Sequence, residues 1–177
     1  RRAAVVAEQR PFAAVLACAD SRVPPELVFD AGLGDLFVVR VAGGVATPAE
    51  IASLEFAASR LGVPLVVVMG HTGCGAVSAA VDAALGTAER VEGDLPTLLG
   101  LLGPAVEAAR SAVRAGDRAA WVREATRAQV RLVADALRTG SPVLRRLGGA
   151  AALCVVGALY ALETGRVEFF DGVPAAG

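Results

Sequence analysis

Leu65-Val66-Val67-Val68-Met69-Gly70-His71-Thr72-Gly73-Cys74-Gly75-Ala76-Val77 is the stretch from which the fold reads most directly. Residues 65–69 form a short, almost uninterrupted apolar run, the pattern of a buried strand. A polar cluster follows at once, from His71 to Gly75, and residues 76–85 are an Ala- and Val-rich segment that reads as a helix packed on a sheet. The same order occurs earlier: residues 12–17 are strand-like and run directly into Cys18-Ala19-Asp20-Ser21-Arg22. Repetition of strand, turn and helix implies parallel strands joined by right-handed crossovers. In an open sheet of that kind ligands bind at the carboxyl ends of the strands, which is where both polar clusters stand.

Outward from these two points the chain supplies the rest of an α/β domain. Pro24-Pro25-Glu26 opens a short turn or helix through Phe29, since proline is tolerated in a first helical turn. Residues 36–41 read as a second strand, ended by Gly43-Gly44. Thr47-Pro48-Ala49-Glu50 carries the signals of a helix start, and the helix is expected to run to Leu61 with Gly62 as its stop. Residues 86–96 are polar and read as a loop; residues 98–115 and 117–138 carry two helical patterns. In the second, Trp121, Ala125, Ala128, Leu132 and Ala136 recur at helical spacing, with Trp121 as a core or interface anchor. Ser141-Pro142 caps a last short helix, residues 151–156 read as a buried strand, and residues 166–170 alternate like an edge strand. The expectation is one domain over residues 1–177. Its central sheet is mostly parallel, about four parallel strands plus an antiparallel edge strand, flanked by helices.

Composition narrows the function classes. The 177 residues are 55% hydrophobic with a mean hydropathy of +0.57, yet the uncharged run at residues 148–162 is interrupted by Gly157. It falls short of the roughly 20 residues that a spanning helix needs. The net charge of -1 provides no electrostatic footprint for nucleic acid, and all 17 basic residues are arginine, spread along the chain. Three cysteines do not make a disulfide framework, so thiols free to bind metal in a reducing, cytoplasmic setting are expected.

Two thiols, an imidazole and a carboxylate, from Cys18, Asp20, His71 and Cys74, then converge at one crevice. That set is a complete tetrahedral shell for zinc, which favours thiolate and imidazole donors and accepts a carboxylate oxygen. Cys74 stands at a helix N-terminus, where the macrodipole favours thiolate. Arg22 can form a forked pair with Asp20. With Asp20 held on Arg22 the metal keeps three protein ligands and an open position; with Asp20 on the metal the site is closed. Cys154, in the middle of an apolar segment, reads as a small buried hydrophobe.

C-A-D-S-R-V-P at residues 18–24, D-L-F-V-V-R-V-A-G at 35–43 and H-T-G-C-G-A-V at 71–77 together resemble the β-class carbonic anhydrases of bacterial type, and the resemblance runs from Gln9 to Tyr160. It implies reversible hydration of carbon dioxide to bicarbonate and a proton. Cys18, His71 and Cys74 are then the constant zinc ligands, Asp20 a switchable fourth ligand, and Asp20 with Arg22 the dyad that orients the zinc-bound water. By the same resemblance Phe37, Ala42 and Phe56 line a narrow apolar pocket for carbon dioxide, and Gln9, from a neighbouring subunit, hydrogen-bonds the substrate. A homodimer or higher homo-oligomer is implied, with neither nucleic acid nor membrane as partner. The chain departs from the family pattern at Val15, where members with a regulatory bicarbonate site carry Trp, although Arg40 is retained. Gly44 stands where Asn is common. Hydrolysis of carbonyl sulfide or carbon disulfide on the same site, and a non-catalytic zinc-binding or redox-sensing role, are the alternative expectations.

Overall fold

The computed structural model describes residues 2–88, 92–114 and 116–173, which leaves Ala115 of the expected helix over 98–115, residues 89–91 of the expected loop over 86–96, and the two chain ends outside the described residues. Five strands, β1 (Ala13–Ala17), β2 (Leu36–Arg40), β3 (Leu65–His71), β4 (Cys154–Ala161) and β5 (Arg166–Asp171), form one sheet in the order β2-β1-β3-β4-β5. The first four are parallel, and β5 pairs antiparallel with β4 across the turn at residues 162–165. Among the described residues six α-helices accompany the sheet: α1 (Pro25–Val28), α2 (Pro48–Arg60), α3 (Gly75–Leu85), α4 (Leu95–Arg110), α5 (Arg118–Asp135) and α6 (Pro142–Gly149).

Local chemistry accounts for the main boundaries. The Glu50 carboxylate accepts a hydrogen bond from the Thr47 backbone N–H (2.9 Å) and another from the Thr47 hydroxyl, fixing the start of α2. Gly86, at φ 71°, ends α3 in the left-handed region that glycine enters without strain. One core cluster lies between the sheet and α2, α5 and α6, around Leu16, Leu54, Val66 and Leu144; a second joins α3, α4 and α5 around Val77, Leu102 and Trp121. Trp121 is the core anchor that its sequence position suggests, its indole N–H donating to the Val106 carbonyl at 2.8 Å.

Three expectations shift. The strand read over 151–156 runs instead over Cys154–Ala161: Ala151, at φ 54°, still belongs to the turn that closes α6, and Gly157 lets the strand continue because it leaves room for Val130 of α5. The apolar line read on α5 is also rotated. Leu132 is 43% exposed, and the buried face runs through Val122, Ala125, Thr126, Gln129, Val130 and Val133. Cys154 is only partly buried, with its sulfur 4.0 Å from the Gly172 carbonyl oxygen. Beyond α5 the chain widens into a π turn over Ala136–Gly140, from which Arg138 reaches the Val155 carbonyl (3.2 Å) and the Asp171 carboxylate.

Candidate metal centre

The sheet order has one point at which the chain reverses its direction of winding, between β1 and β3, because β2 lies on one side of β1 and all later strands on the other. A crevice opens there at the carboxyl ends of the strands. Cys18 follows directly on β1, His71 ends β3, and Cys74 is the N-cap of α3, so the short connection over 72–74 presents two donors from adjoining elements. All three side chains are buried, and their sulfur and ring-nitrogen atoms lie within 4.8 Å of one another.

The geometry fits a metal. The His71 Nδ1 sits 2.9 Å from the Thr72 carbonyl oxygen, to which it donates, so the lone pair is left on Nε2. That Nε2 is buried and finds no hydrogen-bond partner among the described residues. Buried polar atoms are normally paired, and a cation among the three donors supplies the missing partner. The two sulfurs are 3.9 Å apart, and the Gly43 N–H donates to Cys18 Sγ at 3.3 Å. Backbone N–H groups of Val77 and Ala76, in the first turn of α3, favour a thiolate on Cys74.

Charge tells the same story. The hydrogen bond from Cys74 is the chief cause that lowers the Cys18 thiol to about 4, against the opposing effect of burial. Cys74 moves the other way, because it donates to that thiolate and is itself buried. The pair therefore gives up its first proton readily and holds the second, which a divalent cation would displace. Burial disfavours a charge on His71, but the neighbouring Cys18 thiolate and the Thr72 carbonyl outweigh that and raise its pKa overall. The upward shifts of His71 and Cys74 both draw on negative charge at Cys18, which a cation among the three donors would neutralise.

Asp20 stands beside this cluster rather than within it. Its Oδ1 accepts from the Arg22 backbone N–H and Nε (both 2.9 Å), its Oδ2 accepts from Arg22 Nη2 at 2.7 Å, and Oδ2 is 3.9 Å from His71 Nε2. The Arg22 side chain holds this carboxyl well below the usual carboxylate range. Arg22 Nη2 also lies 3.3 Å from the Gly73 carbonyl oxygen, which ties the pair to the loop carrying Cys74. A second guanidinium grips the backbone from the other side. Arg40 donates through Nε to the Cys18 carbonyl (2.9 Å) and through Nη2 to the Asp20 carbonyl (2.5 Å).

The remaining expected positions are more dispersed. Ala42 opens the short turn Ala42–Gly44 and so adjoins Gly43, whose N–H meets the Cys18 sulfur. Phe37 on β2 and Phe56 on α2 form a tilted ring pair at the sheet edge, centroids 6.3 Å apart, and Gln9 is exposed in the segment before β1. The reading from sequence passed over Gln129, a buried amide on α5. Its signal was a polar residue on an apolar helix face, hidden because the line drawn through Leu132 turned that face away.

Known proteins agree with this arrangement. The carbonic anhydrase family profile matches residues 13–167. Carbonic anhydrase 2 of Mycobacterium tuberculosis is 40% identical over 175 residues, covering 97% of this chain and 80% of that protein. The chain belongs to the β-class carbonic anhydrases. A carbonic anhydrase of Pseudomonas aeruginosa is 36% identical over 172 residues, covering 93% of this chain and 75% of its own. Among solved structures, the β-carbonic anhydrase CafA of Aspergillus fumigatus superposes with a TM-score of 0.85 at 27% identity, over 98% of this chain and 81% of that one. As a β-carbonic anhydrase the chain is an enzyme, and Cys18, His71 and Cys74 are placed to bind its metal.

Proposed function

We propose that the chain catalyses the reversible hydration of carbon dioxide to bicarbonate and a proton, with zinc held by Cys18, His71 and Cys74 and with Asp20 and Arg22 as the dyad that orients the attacking water. The observation that carries this reading is the position of Asp20: forked on Arg22, one oxygen 3.9 Å from the unpaired His71 Nε2, and outside the trio of donors. Two thiolates and a neutral imidazole would suit zinc and, being three donors, would leave it a position for solvent. Zinc bound there supplies Lewis acidity that makes water nucleophilic near neutral pH. Three residues of the chain do the rest. Arg22 keeps the Asp20 carboxylate ionised, and an ionised carboxylate only accepts. Asp20 Oδ2 therefore takes a hydrogen bond from the incoming water and fixes which lone pair faces the carbon. Held so acidic, Asp20 does not store the proton, which passes to solvent and buffer. Arg40 restrains the backbone on both sides of Ala19 and so limits how far Asp20 travels toward the metal.

Ala42 beside the site, with Phe37 and Phe56 at the β2 edge, supplies an apolar approach for carbon dioxide, and Gln9 of a neighbouring copy donates to the bound substrate. A chain from work on two tetrameric β-carbonic anhydrases of Sordaria macrospora has this fold, with a TM-score of 0.82 at 24% identity over 96% of this chain and 85% of that one, and a homo-oligomer is the assembly proposed for this chain too. Two anionic sulfur ligands donate more charge than neutral imidazoles, so hydration is expected to be faster at alkaline pH. Stopped-flow carbon dioxide hydration across pH, with zinc stoichiometry measured on the same sample, tests the proposal. Full zinc occupancy without hydration at alkaline pH would overturn it, and a rate flat from acid to alkaline pH would overturn the argument from sulfur charge.

A further inference from the structure

Thr72 stands between two of the metal donors, and the proposed reaction gives it no task. Its polar groups are nonetheless all engaged. The backbone N–H donates to the Tyr160 carbonyl at 3.0 Å, carrying the pairing of β3 with β4 one residue beyond His71, which sits opposite Tyr160. The hydroxyl accepts from the Leu162 backbone N–H at 3.0 Å and donates to Glu163 Oε2 at 2.9 Å. The carbonyl oxygen accepts from His71 Nδ1 at 2.9 Å. Three bonds thus run outward, to the end of β4 and the turn over 162–165, and one runs inward to the imidazole.

An acceptor on Nδ1 fixes the tautomer and the tilt of a ligating imidazole, and it does so only as firmly as the acceptor is itself held. Thr72 lies past the end of β3 and before α3, so its peptide has no ladder on both sides to hold it. The hydroxyl supplies the missing restraint, because a β-branched side chain is stiff at χ1 and a bonded Oγ1 therefore holds the backbone that carries it. Leu162 also covers the next residue, its Cδ1 lying 3.8 Å from where a Cβ on Gly73 would stand. The Gly73 carbonyl in turn accepts from Arg22 Nη2 at 3.3 Å. The two carbonyls between His71 and Cys74 therefore serve a metal donor and the dyad, and both sit on the loop that the 162–165 turn pins. A valine at position 72 would fill the same volume and leave the Leu162 N–H without its acceptor.

We infer that Thr72, held through its hydroxyl by Leu162 and Glu163, is a positioning residue for the metal centre: it fixes the carbonyl that accepts from His71 Nδ1 and so aims the Nε2 lone pair at the metal. The inference rests on the metal-binding reading of Cys18, His71 and Cys74. Thr72 and Glu163 touch neither substrate nor metal and act through His71.

His71 is the sole histidine and Trp121 the sole tryptophan, so in ¹⁵N-labelled protein each ring N–H is identified without ambiguity. The zinc-loaded parent is expected to show a His71 Nδ1–H that exchanges slowly with water; exchange at the rate of a free imidazole overturns the inference. Thr72→Val is expected to speed both that exchange and zinc loss to a chelator by about tenfold, the lower end of the effect of removing a partner of a ligating histidine. The Trp121 indole N–H, bonded in the core to the Val106 carbonyl, is expected to keep the parent's rate. Thr72→Ser, which retains the hydroxyl, is expected to restore both quantities. Parent-like exchange and zinc loss in Thr72→Val would sink the inference, and so would a Trp121 exchange that speeds up in parallel, since that marks general loosening. Should Thr72→Val fail to fold, Glu163→Ala on the exposed turn decides: faster His71 exchange supports the inference and an unchanged rate overturns it. Parent protein that retains no zinc would defeat the metal-binding reading itself, a separate failure that shows before any variant is made.

Discussion

Asp20 carries the heaviest demand at the scale of single residues, since it must stay ionised, accept from water and remain off the metal. Asp20→Asn keeps the shape and removes the charge, and one of its two former acceptors becomes a donor facing the Arg22 guanidinium. Zinc content is expected to stay at the parent's level while kcat falls by about a hundredfold, in the range for losing a positioned polar group in a transition state. Stopped-flow rates beside metal analysis measure both, and a parent-like kcat would remove Asp20 from the proposed dyad. The three buried donors were legible in the sequence because each stands in a short polar cluster directly after an apolar run, with His71 and Cys74 among glycines. The backbone grip of Arg40 and the inward turn of Gln129 were not legible. The Arg40 grip on the Cys18 and Asp20 carbonyls depends on strand register, which sets Ala17 opposite Arg40, and the position of Gln129 depends on which way α5 is turned.

Among elements, α5 decides how closely the metal-bearing end of β3 is held, and glycines set that distance. Val130 packs where Gly70 of β3 and Gly157 of β4 have no side chain: a Cβ on Gly70 would lie 2.8 Å from Val130 Cγ2, and one on Gly157 would lie 2.7 Å from Val130 Cγ1. Gly157→Ala is therefore expected to destabilise by about 1–3 kcal/mol through overpacking. Val130→Ala in the same chain should recover part of that loss, so that urea unfolding of the two single variants and the double gives a non-additive cycle. Strict additivity would show that the Asp171 Cβ, 2.9 Å from the same point, limits the site instead. The Asp82–Arg118 pair, which ties α3 to the start of α5, has a pH signature. Arg118 lowers the Asp82 carboxyl relative to the unfolded chain, so the pair contributes above about pH 4 and loses its contribution as pH falls through the folded value. The stability deficit of Asp82→Asn is thus expected to be present at pH 7 and to shrink in acid, and with Arg118 about half exposed and Asp82 partly so it should stay below about 1 kcal/mol. A deficit that grows toward acid would contradict the sign. Strand and helix order were legible because their periodicities differ; the face of α5 was not, because alanine and leucine recur on more than one of its sides.

For the molecule as a whole, the question is where a mean hydropathy of +0.57 goes in a chain in which no described helix is long and apolar enough to cross a membrane. Much of it enters the core clusters, but a row of large apolar side chains remains outside along β2. Phe12 is 58% exposed and donates its N–H to the Asp35 carbonyl, Leu33 is 56% exposed just ahead of the strand, and Phe56 is 47% exposed with its ring against Phe37. β2 is also an edge strand, with one side of its backbone unpaired by the sheet. Exposed rings beside an open edge are a combination that association hides, and a second copy of the chain is the occupant that would also bring Gln9 to a neighbouring site. Phe56→Glu places a charge in the middle of this row, where a desolvated carboxylate without a partner is unfavourable. Light scattering after size exclusion at micromolar concentration is expected to show the parent as a dimer or larger and Phe56→Glu shifted toward monomer. Carbon dioxide hydration should fall with it, recovering as protein concentration is raised. A monomeric parent with full activity would show instead that each chain completes its own site and that the β2 row serves some other contact.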